Sequence, residues 1–472
     1  MSSFGSLNTA LSGLLSQRRV LDTIGHNIAN SATEGFSRRR VELSPAGQWA
    51  VPSMYSRSTV SGNGVKVTGV SRIRDELLEN RAMREHGSAQ RLQTESTMLL
   101  RIEQMLPEPS DVGMSVQFGD FYAAWDDVAN NPGNSAGRIA LLQQGRTIAS
   151  TFNRVSSDLT NLRNKSVKEV DQLVSQVNAN AAQIAELNHS IAQATASGLD
   201  PHDLADRRDL LVKDLADLIG VSVTQGELGT VDITLGGSSL VKGSRSEQLK
   251  VAESGPLGGE FAGVPMNTVE VEWAIDGYPA TVTGGRVAGL LQTANVHVPR
   301  TISDLDSVAA TLVTTVNALH QGGQGLDTVA DVNLNYWDPA GVTAASIKLS
   351  SDVDGNPSRV AAGIAGSGAL DATIAQQIAA MHQTSGSADS FYADMIGRLA
   401  IETQTMEQRS YLQTEVTNQA DDARISVSGV NLDEELTAMI TAQRSYEAAS
   451  RMLTTIDQAL DTLINRTGLV GR

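Results

Sequence analysis

The sequence predicts a multidomain, mainly α-helical protein with a β-containing middle, whose N- and C-terminal helices pair as a coiled coil. Aromatic residues make up only 4% of the 472 residues, whereas hydrophobic residues make up 40%. That composition is typical of long helices with small-residue interfaces. Apolar residues recur at helical spacing near both ends, while alternating Val and Ile with frequent Gly are concentrated in the middle.

The length suggests about three domains. We expect a terminal coiled-coil domain formed by residues 1–50 with 425–472, and a long-helix domain formed by residues 51–219 with 370–424. Residues 220–369 are predicted to form a β-rich, α+β outer domain. Each helical layer then takes segments from both halves of the chain.

The first helix is predicted over residues 6–28, because Leu and Ile recur there about every seven residues and form one apolar stripe. The stripe consists of Leu7, Leu11, Leu14, Leu21, Ile24 and Ile28. Small and turn-forming residues from Asn30 to Gly35 end this helix. The polar stretch through Val70 is broken by Gly47, Pro52 and Gly62, so we expect loops or short strands there.

Further helices are predicted between these ends. Their expected ranges are 73–106, 116–129, 138–196, 201–219, 287–320, 374–381 and 391–424. The fourth of them is expected to begin with Asp200 as the N-cap and Pro201 at the first helical position. Strands are expected over residues 221–235 and 268–275, where Val and Ile alternate with polar residues.

The last helix, over residues 432–465, repeats the apolar pattern of the first more fully. Its predicted seam contains Leu432, Leu436, Met439, Tyr446, Leu453, Leu460, Ala442, Ala449, Ile456 and Leu463. Most of these residues occupy a and d positions over more than four heptads, which is a strong indication of a helix seam. An isolated amphipathic helix usually packs on its own domain. Because both seams lie at the extreme ends, we favour pairing with each other and with neighbouring subunits.

Several classes of function are disfavoured. A net charge of −17 argues against binding of nucleic acid or a membrane surface, and we interpret Arg38, Arg39 and Arg40 as a solvated basic run. The chain contains no Cys, and its seven His residues lack the spacing of a helical zinc pair. Adjacent carboxylates such as Glu434 and Glu435 diverge on a helix and are better explained as an acidic first turn. We expect no enzymatic activity, cofactor, metal, membrane-spanning segment or cleaved leader.

Two runs of residues then resemble a known family. IGHNIANSATEGFSR at residues 24–38 resembles the N-terminal signature of bacterial flagellar axial proteins, a family that includes rod, hook and junction proteins. VNLDEEL at residues 430–436 and AQRSYEAASR at residues 442–451 resemble the C-terminal signature. The matching motif residues are Asn27, Asn30, Thr33, Gly35, Phe36, Asn431, Asp433 and Glu434. Tyr is common in the family where Phe36 stands, and we expect either residue to supply a buried aromatic ring beside the turn.

The resemblance favours the hook–filament junction branch, because of the SVSGVNLDEE run at residues 426–435 and the long helices. It implies a secreted structural subunit, exported through the flagellar type III apparatus, with an export chaperone on its C-terminal helix before export. It also implies a ring of copies that contacts the hook protein and a second hook–filament junction protein. We expect the chain ends to order only on joining this assembly. The middle, residues 221–368, carries no motif that we can match.

Two alternatives remain. A rod or hook subunit would belong to the same family, and an intracellular coiled-coil scaffold would belong to a different class. A scaffold is expected to form stable dimers with helical ends, whereas a junction subunit is expected to be a monomer with protease-sensitive ends.

Overall fold

The computed structural model describes residues 3–46, 64–257, 266–326, 331–368, 370–462 and 464. The helices within this part of the chain are α1 Ser3–Ala29, α2 Glu76–Met105, α3 Met114–Asn130, α4 Ser135–Ala196, α5 His202–Ile219, α6 Gly285–Gln292, α7 Val298–Gln321, α8 Thr373–Ala379, α9 Ala388–Ser428 and α10 Leu432–Asp461. The strands are β1 Arg39–Pro45, β2 Val65–Arg72, β3 Ser222–Gln225, β4 Val231–Leu235, β5 Ser238–Lys242, β6 Arg245–Ser246, β7 Leu249–Pro256, β8 Asn267–Trp273, β9 Gly323–Gln324 and β10 Gly363–Ile364. The predicted loop residues Gly47, Pro52 and Gly62 and the seam residue Leu463 lie outside the described residues.

The two ends of the chain pack against each other as an antiparallel pair of helices, α1 and α10. Asn27 near the end of α1 bonds Glu435 near the start of α10. A Cβ added at Gly13, farther back in α1, would stand 4.0 Å from the Cβ of Ala449, farther along α10. Residue numbers therefore run in opposite directions along the two helices. The mainly helical, multidomain fold class is confirmed, while coiled-coil geometry within this terminal pair stays a prediction.

A two-stranded antiparallel hairpin, β1 with β2, follows α1 and packs on it. Its register pairs Arg39 with Arg72 and Pro45 with Val65, with an irregularity between Glu42 and Leu43. The loops or short strands expected between the first helix and Val70 thus include this hairpin. This hairpin carries the chain from the terminal pair to α2.

Long helices form the layer next to the terminal pair. Helix α2 packs against α5, α6 and α9, and α4 packs against α3, α5, α6 and α7. The close approach of α5 to the start of α6 depends on Gly220, which has φ +68° and whose added Cβ would stand 2.6 Å from the Cα of Gly284. Such a backbone conformation and such proximity both exclude a side chain.

A cluster of aromatic residues lies in one part of this layer, between α3, α4, α9 and the segment before β10. Those fully buried there are Phe118, Phe121, Tyr122, Trp125, Phe152, Tyr336, Trp337 and Tyr392. Neighbouring rings contact one another, for example Trp125 and Tyr336 with centroids 5.2 Å apart. Aromatic side chains bury large apolar areas. This cluster therefore anchors the core that holds the long helices together.

The β-containing part packs on the second half of α4. The strands β3, β4, β5 and β6 form one antiparallel sheet, and β7 pairs with β8. Asn188 of α4 donates to the carbonyl oxygens of Val231 and Gly243, each at 2.8 Å. Asn178 donates to the Leu249 carbonyl and accepts from its N–H, also at 2.8 Å. Side-chain amides on α4 thus form hydrogen bonds with backbone N–H and C=O groups at the strand edges, which would otherwise lack partners.

Several predicted element bounds were wrong. The limits of α2, α4 and α9 differ by up to three or four residues, and three further differences concern a cap, a turn and an interruption. Pro201 is the N-cap of α5 rather than its first helical residue, since its ψ of 42° is not helical and its carbonyl accepts from the N–H of Ala205. The strand expected to reach residue 275 ends at Trp273, where a turn over residues 274–276 begins that is closed by a hydrogen bond from the Gly277 N–H to the Trp273 carbonyl. The helix expected over residues 287–320 is interrupted by a π-helical turn, Thr293–His297.

The π turn has an identifiable cause. Pro299 has no N–H to donate to the carbonyl four residues back, and the N–H of Val298 reaches the carbonyl of Thr293 five residues back. The helices on both sides of this turn, α6 and α7, pack among the long helices α2, α4 and α9. The predicted domain limits at residues 220 and 369 stay predictions.

Candidate functional site at the junction of the two chain ends

The two family-like runs meet in space. The turn after α1 and the connection from α9 to α10 both line a cleft of about 970 Å³, together with residues of α2 and α5. We call the residues that tie the chain ends together here the terminal junction: Asn27, Arg38, Ser428, Asn431 and Glu435. It fixes how the terminal pair is attached to the long-helix layer.

Glu435 is the centre of the terminal junction. This charged residue is buried, with only 2% of its surface exposed. Its carboxylate accepts from Nε of Arg38 at 2.7 Å and from Nδ2 of Asn27 at 3.1 Å. Because a buried carboxylate without partners is strongly destabilising, these donors are needed for the first turn of α10 to pack here. Glu435 thereby joins α10 to both α1 and the segment before β1.

The side-chain amide of Asn27 forms two hydrogen bonds with the backbone of Arg39. Its Nδ2 donates to the Arg39 carbonyl at 2.9 Å, and its Oδ1 accepts from the Arg39 N–H at 3.0 Å. These two bonds define the orientation of the amide, so that Nδ2 also faces Glu435. A motif residue predicted from its family resemblance therefore has a specific packing role.

Arg38 connects the segment before β1 to the end of α9 and the start of α10. Its N–H donates to the Ser428 carbonyl at 2.9 Å, and its guanidinium bonds Glu434 at 2.7 Å as well as Glu435. Partial burial lowers its pKa, but the hydrogen bond to Glu434 and the charge of Glu435 outweigh that effect and raise the pKa of Arg38. Arg38 is positively charged at every physiological pH.

The first turn of α10 is capped by Asn431, whose Oδ1 accepts from the N–H groups of Asp433 and Glu434 at 3.0 and 3.4 Å. The acidic residues expected to complement the helix N-terminus do lie in this first turn. What the sequence did not reveal is that Glu435 is buried. The only feature of the sequence that pointed to Glu435 was its position within the C-terminal motif.

The remaining N-terminal motif residues build the turn after α1. Asn30 donates to the His26 carbonyl at 3.0 Å and accepts from the Thr33 hydroxyl at 3.2 Å. Gly35 has φ +79°, which favours glycine. Phe36, expected to be a buried ring, is half-buried, and the Arg39 guanidinium carbon lies 5.0 Å from its ring centroid.

A ladder of ion pairs attaches the hairpin to α5, and it corrects our interpretation of the basic run. Arg39 pairs with Asp206 at 3.0 Å, and its side chain is only 10% exposed. Arg72 pairs with Asp206 at 2.8 Å and with Asp209 at 2.7 Å. Arg40 alone of the three is exposed. Arg38 and Arg39 are therefore structural, because acidic side chains from distant parts of the chain face them.

The predicted seam residues are divided by the structure. Ile24 and Ala442 are buried, and a larger group is half-buried. The half-buried group is Leu7, Leu14, Leu21, Ile28, Met439, Tyr446, Ala449, Leu453, Ile456 and Leu460. Leu11, Leu432 and Leu436 are exposed by 44%, 48% and 46%. Pairing of two helices thus covers one side of the seam and leaves apolar side chains in solvent.

The end helices are formed and paired within a single chain in the structure. Whether they order only on assembly stays a prediction about the free protein. Among the described residues, no group of His, Cys, Asp and Glu side chains could hold a metal ion. In the same part of the chain, no helix combines the length and hydrophobicity needed to cross a membrane.

Paired ends joined to a layer of long helices agree with the architecture expected of an axial structural protein, and comparisons of the two ends point the same way. Residues 7–36 match the family "Flagella basal body rod protein", and residues 422–466 match the family "Flagellar basal body rod FlgEFG protein C-terminal". Residues 99–334, half of the chain, match the family "Flagellar hook-associated protein FlgK helical domain". The chain belongs to this hook-associated protein family, and it is a structural component of the bacterial flagellum. The match reaches well into the middle, where no motif was recognisable.

Curated relatives support the assignment along the whole chain. Flagellar hook-associated protein 1 of Bacillus subtilis (strain 168) is 29% identical over 514 residues, covering 100% of both chains. Flagellar hook-associated protein 1 of Escherichia coli (strain K12) is 24% identical over 556 residues, covering 97% of this chain and 99% of the relative. The solved flagellar hook junction protein FlgK from Burkholderia pseudomallei has a TM-score of 0.64 at 15% identity, covering 74% of this chain and 100% of that chain. That last likeness shows the shared fold.

Proposed function

We propose that this chain forms the junction between the flagellar hook and filament, and that it joins further copies of itself through the terminal pair. The observation that carries the proposal is the apolar surface that remains on α1 and α10 after they have paired. Leu15 on α1 and Ile440 on α10 are 55% and 52% exposed. Such a surface on a subunit of a filamentous structure is best explained by contacts that form on assembly.

The energy available is sufficient for assembly. Burying a large apolar side chain contributes about 1.5–3 kcal/mol, and several such side chains lie exposed or half-buried on the terminal pair. An exposed ion pair contributes only about 0–1 kcal/mol. Apolar contacts along the terminal pair therefore decide whether copies associate.

The terminal junction gives the proposal its mechanism. Glu435, Asn27 and Arg38 connect α1, α10 and the hairpin, and the ion pairs of Arg39 and Arg72 connect the hairpin to α5. A load applied to the terminal pair is thus transmitted to the long-helix layer through bonded side chains. A structural subunit between two flagellar segments requires such a connection, and this role involves no enzymatic step.

The partners follow from the proposed position. A junction subunit contacts the hook protein on one side, a second hook–filament junction protein on the other, and its own copies laterally. The subunit is secreted through the flagellar type III apparatus, with an export chaperone on α10 before export. The match of residues 99–334 to the hook-associated family supports a junction subunit over a rod or hook subunit, whose families match the chain ends alone.

Leu453→Asp tests the role of the terminal pair. Leu453 is half-buried in the seam, and Gln458→Asp on an exposed position of the same helix is the matched control. We expect isolated flagella to contain the Gln458→Asp chain and to lack the Leu453→Asp chain, while circular dichroism shows both purified chains folded. Normal attachment of the Leu453→Asp chain would refute the role of the seam.

A further inference from the structure

We propose that neighbouring copies meet through two different surfaces: the exposed face of α1 in one copy packs antiparallel on the exposed face of α10 in the next. The α1 patch is Leu11 and Leu15, and the α10 patch is Leu432, Leu436 and Ile440. This inference rests on the proposed function, since it takes a second copy of the chain as the occupant of the α10 patch.

The α1 patch lies on the side of α1 that faces away from α10. Leu11 and Leu15 are 44% and 55% exposed, although they are one helical turn apart on a helix whose opposite side is covered. The same stripe continues one turn later with Arg18, and Arg19 is adjacent; both are exposed. The α1 patch is therefore apolar, and two positive charges lie next to its C-terminal end.

The α10 patch has the complementary arrangement. Leu432, Leu436 and Ile440 follow at intervals of four residues and are 48%, 46% and 52% exposed. They form one stripe, since residues four apart lie on the same side of a helix. Asp433 lies beside the first of them and is also exposed. The α10 patch is thus apolar with a negative charge at its N-terminal end.

Charge selects the orientation in which the patches meet. In an antiparallel arrangement Leu15 faces Leu436, Leu11 faces Ile440, and Arg18 comes alongside Asp433. In a parallel arrangement that keeps the leucines in contact, Arg19 instead comes alongside Arg444, which is also exposed. None of the ion pairs within the described residues involves Arg18, Arg19 or the Asp433 carboxylate, so these charges are available for a neighbour.

The two patches of one copy cannot meet each other. The bond between Asn27 and Glu435 and the approach of Gly13 to Ala449 define the register of the terminal pair. In that register Leu15 lies level with Glu447, about eleven residues beyond Leu436, which corresponds to about 16 Å along the axis. Contacts between different surfaces propagate from copy to copy rather than closing a dimer.

Paired cysteines test this contact directly, because the chain contains no Cys of its own. A disulfide requires Cα atoms about 4.4–6.8 Å apart, so residues separated by about 16 Å within one copy cannot be linked to each other. Cells that lack the native gene would make Leu15→Cys/Leu436→Cys or Leu11→Cys/Ile440→Cys chains. Flagella would be isolated and oxidised, and the chain would be analysed on non-reducing gels.

Three sets of variants serve as controls. Gly13→Cys/Ala449→Cys should link within one chain and give a shifted monomer, which shows that the terminal pair has formed. Leu15→Cys/Ile440→Cys and Leu11→Cys/Leu436→Cys report the parallel arrangement. Chains that carry only one of these cysteines report whether a patch contacts the same patch of a neighbouring copy.

We expect a ladder of multimers for the two antiparallel pairs, at least several-fold stronger than for the parallel pairs. Cross-linked dimers from Leu15→Cys or Leu436→Cys alone, or equal ladders from the parallel pairs, would overturn the inference. If the cysteine chains are present in flagella and no ladder forms, the inference fails and the proposed function stands. If the unchanged chain is absent from flagella, both fail.

Discussion

Replacement of Glu435 by Gln should loosen the terminal pair at the terminal junction. The substitution preserves the shape of the side chain but replaces one carboxylate oxygen by an NH2 group. Since Oδ1 of Asn27 already accepts from Arg39, the Asn27 Nδ2 would face this new donor. The Arg38 bond would also lose its charged acceptor, while the partly exposed Glu434 remains as a partner.

The expected loss can be estimated from these two changes. A hydrogen bond to a charged group contributes about 1.5–3 kcal/mol, and a buried donor left without an acceptor costs about 1–3 kcal/mol. Because the Arg38 side chain is 22% exposed and solvent compensates in part, we expect about 3 kcal/mol in total. Glu434→Gln is the matched control, since that carboxylate is 59% exposed and should contribute less than about 1 kcal/mol.

Hydrogen exchange followed by mass spectrometry measures this loss locally in the purified chain, where we expect the terminal pair to form as it does in the structure but to open more readily than the middle. If opening of the terminal pair limits exchange, about 3 kcal/mol corresponds to an increase on the order of 100-fold in the exchange rate of α1 and α10 peptides. Peptides of α4 should not change. Equal exchange in the unchanged protein and Glu435→Gln, or an equally large effect of Glu434→Gln, would refute this account of the terminal junction.

Further predictions concern the long-helix layer and the free chain. His86 lies between Asp217 and Asp421, and its hydrogen bond to Asp217 raises its pKa above 6.5 despite burial. Its contribution to stability should be complete below pH 6.5 and decline as the pH rises through the raised pKa, so His86→Gln should flatten the dependence of Tm on pH in this window. Gly220→Ala should destabilise the fold by about 2–4 kcal/mol in chemical denaturation, whereas Gly198→Ala, with a similar φ but open space, should cost about 1 kcal/mol. In limited proteolysis of the free chain, residues 1–52 and those after residue 424 should be lost before the middle; a fully protected monomer would contradict the expected lability of the ends.

Local sequence patterns predicted the long helices well because each has strong boundary signals. Helix α4 runs without an internal Pro and ends just before Gly198 as predicted, although it begins at Ser135, three residues before the predicted start. The heptad pattern also predicted which side of α10 is less exposed, with Met439, Tyr446 and Leu453 half-buried. These features depend on residues close together in sequence, where propensity and periodicity act directly.

The terminal junction could not be predicted in the same way, because its partners are far apart in the chain. The bond between Asn27 and Glu435 spans 408 residues. The family resemblance identified Asn27, but nothing in the local sequence distinguishes the buried Glu435 from the exposed Glu434. The π turn before α7 was missed because Pro299 permits a helix start as well as an interruption.

Addition of the purified protein to isolated hooks would test the central claim most directly. Gold-labelled chain would be mixed with hook–basal bodies that lack it and observed by electron microscopy. Our account predicts a single short zone of label at the distal end of each hook, with none for Leu453→Asp. A folded chain that does not bind hook ends, or one that polymerises into a long hook-like tube, would contradict it.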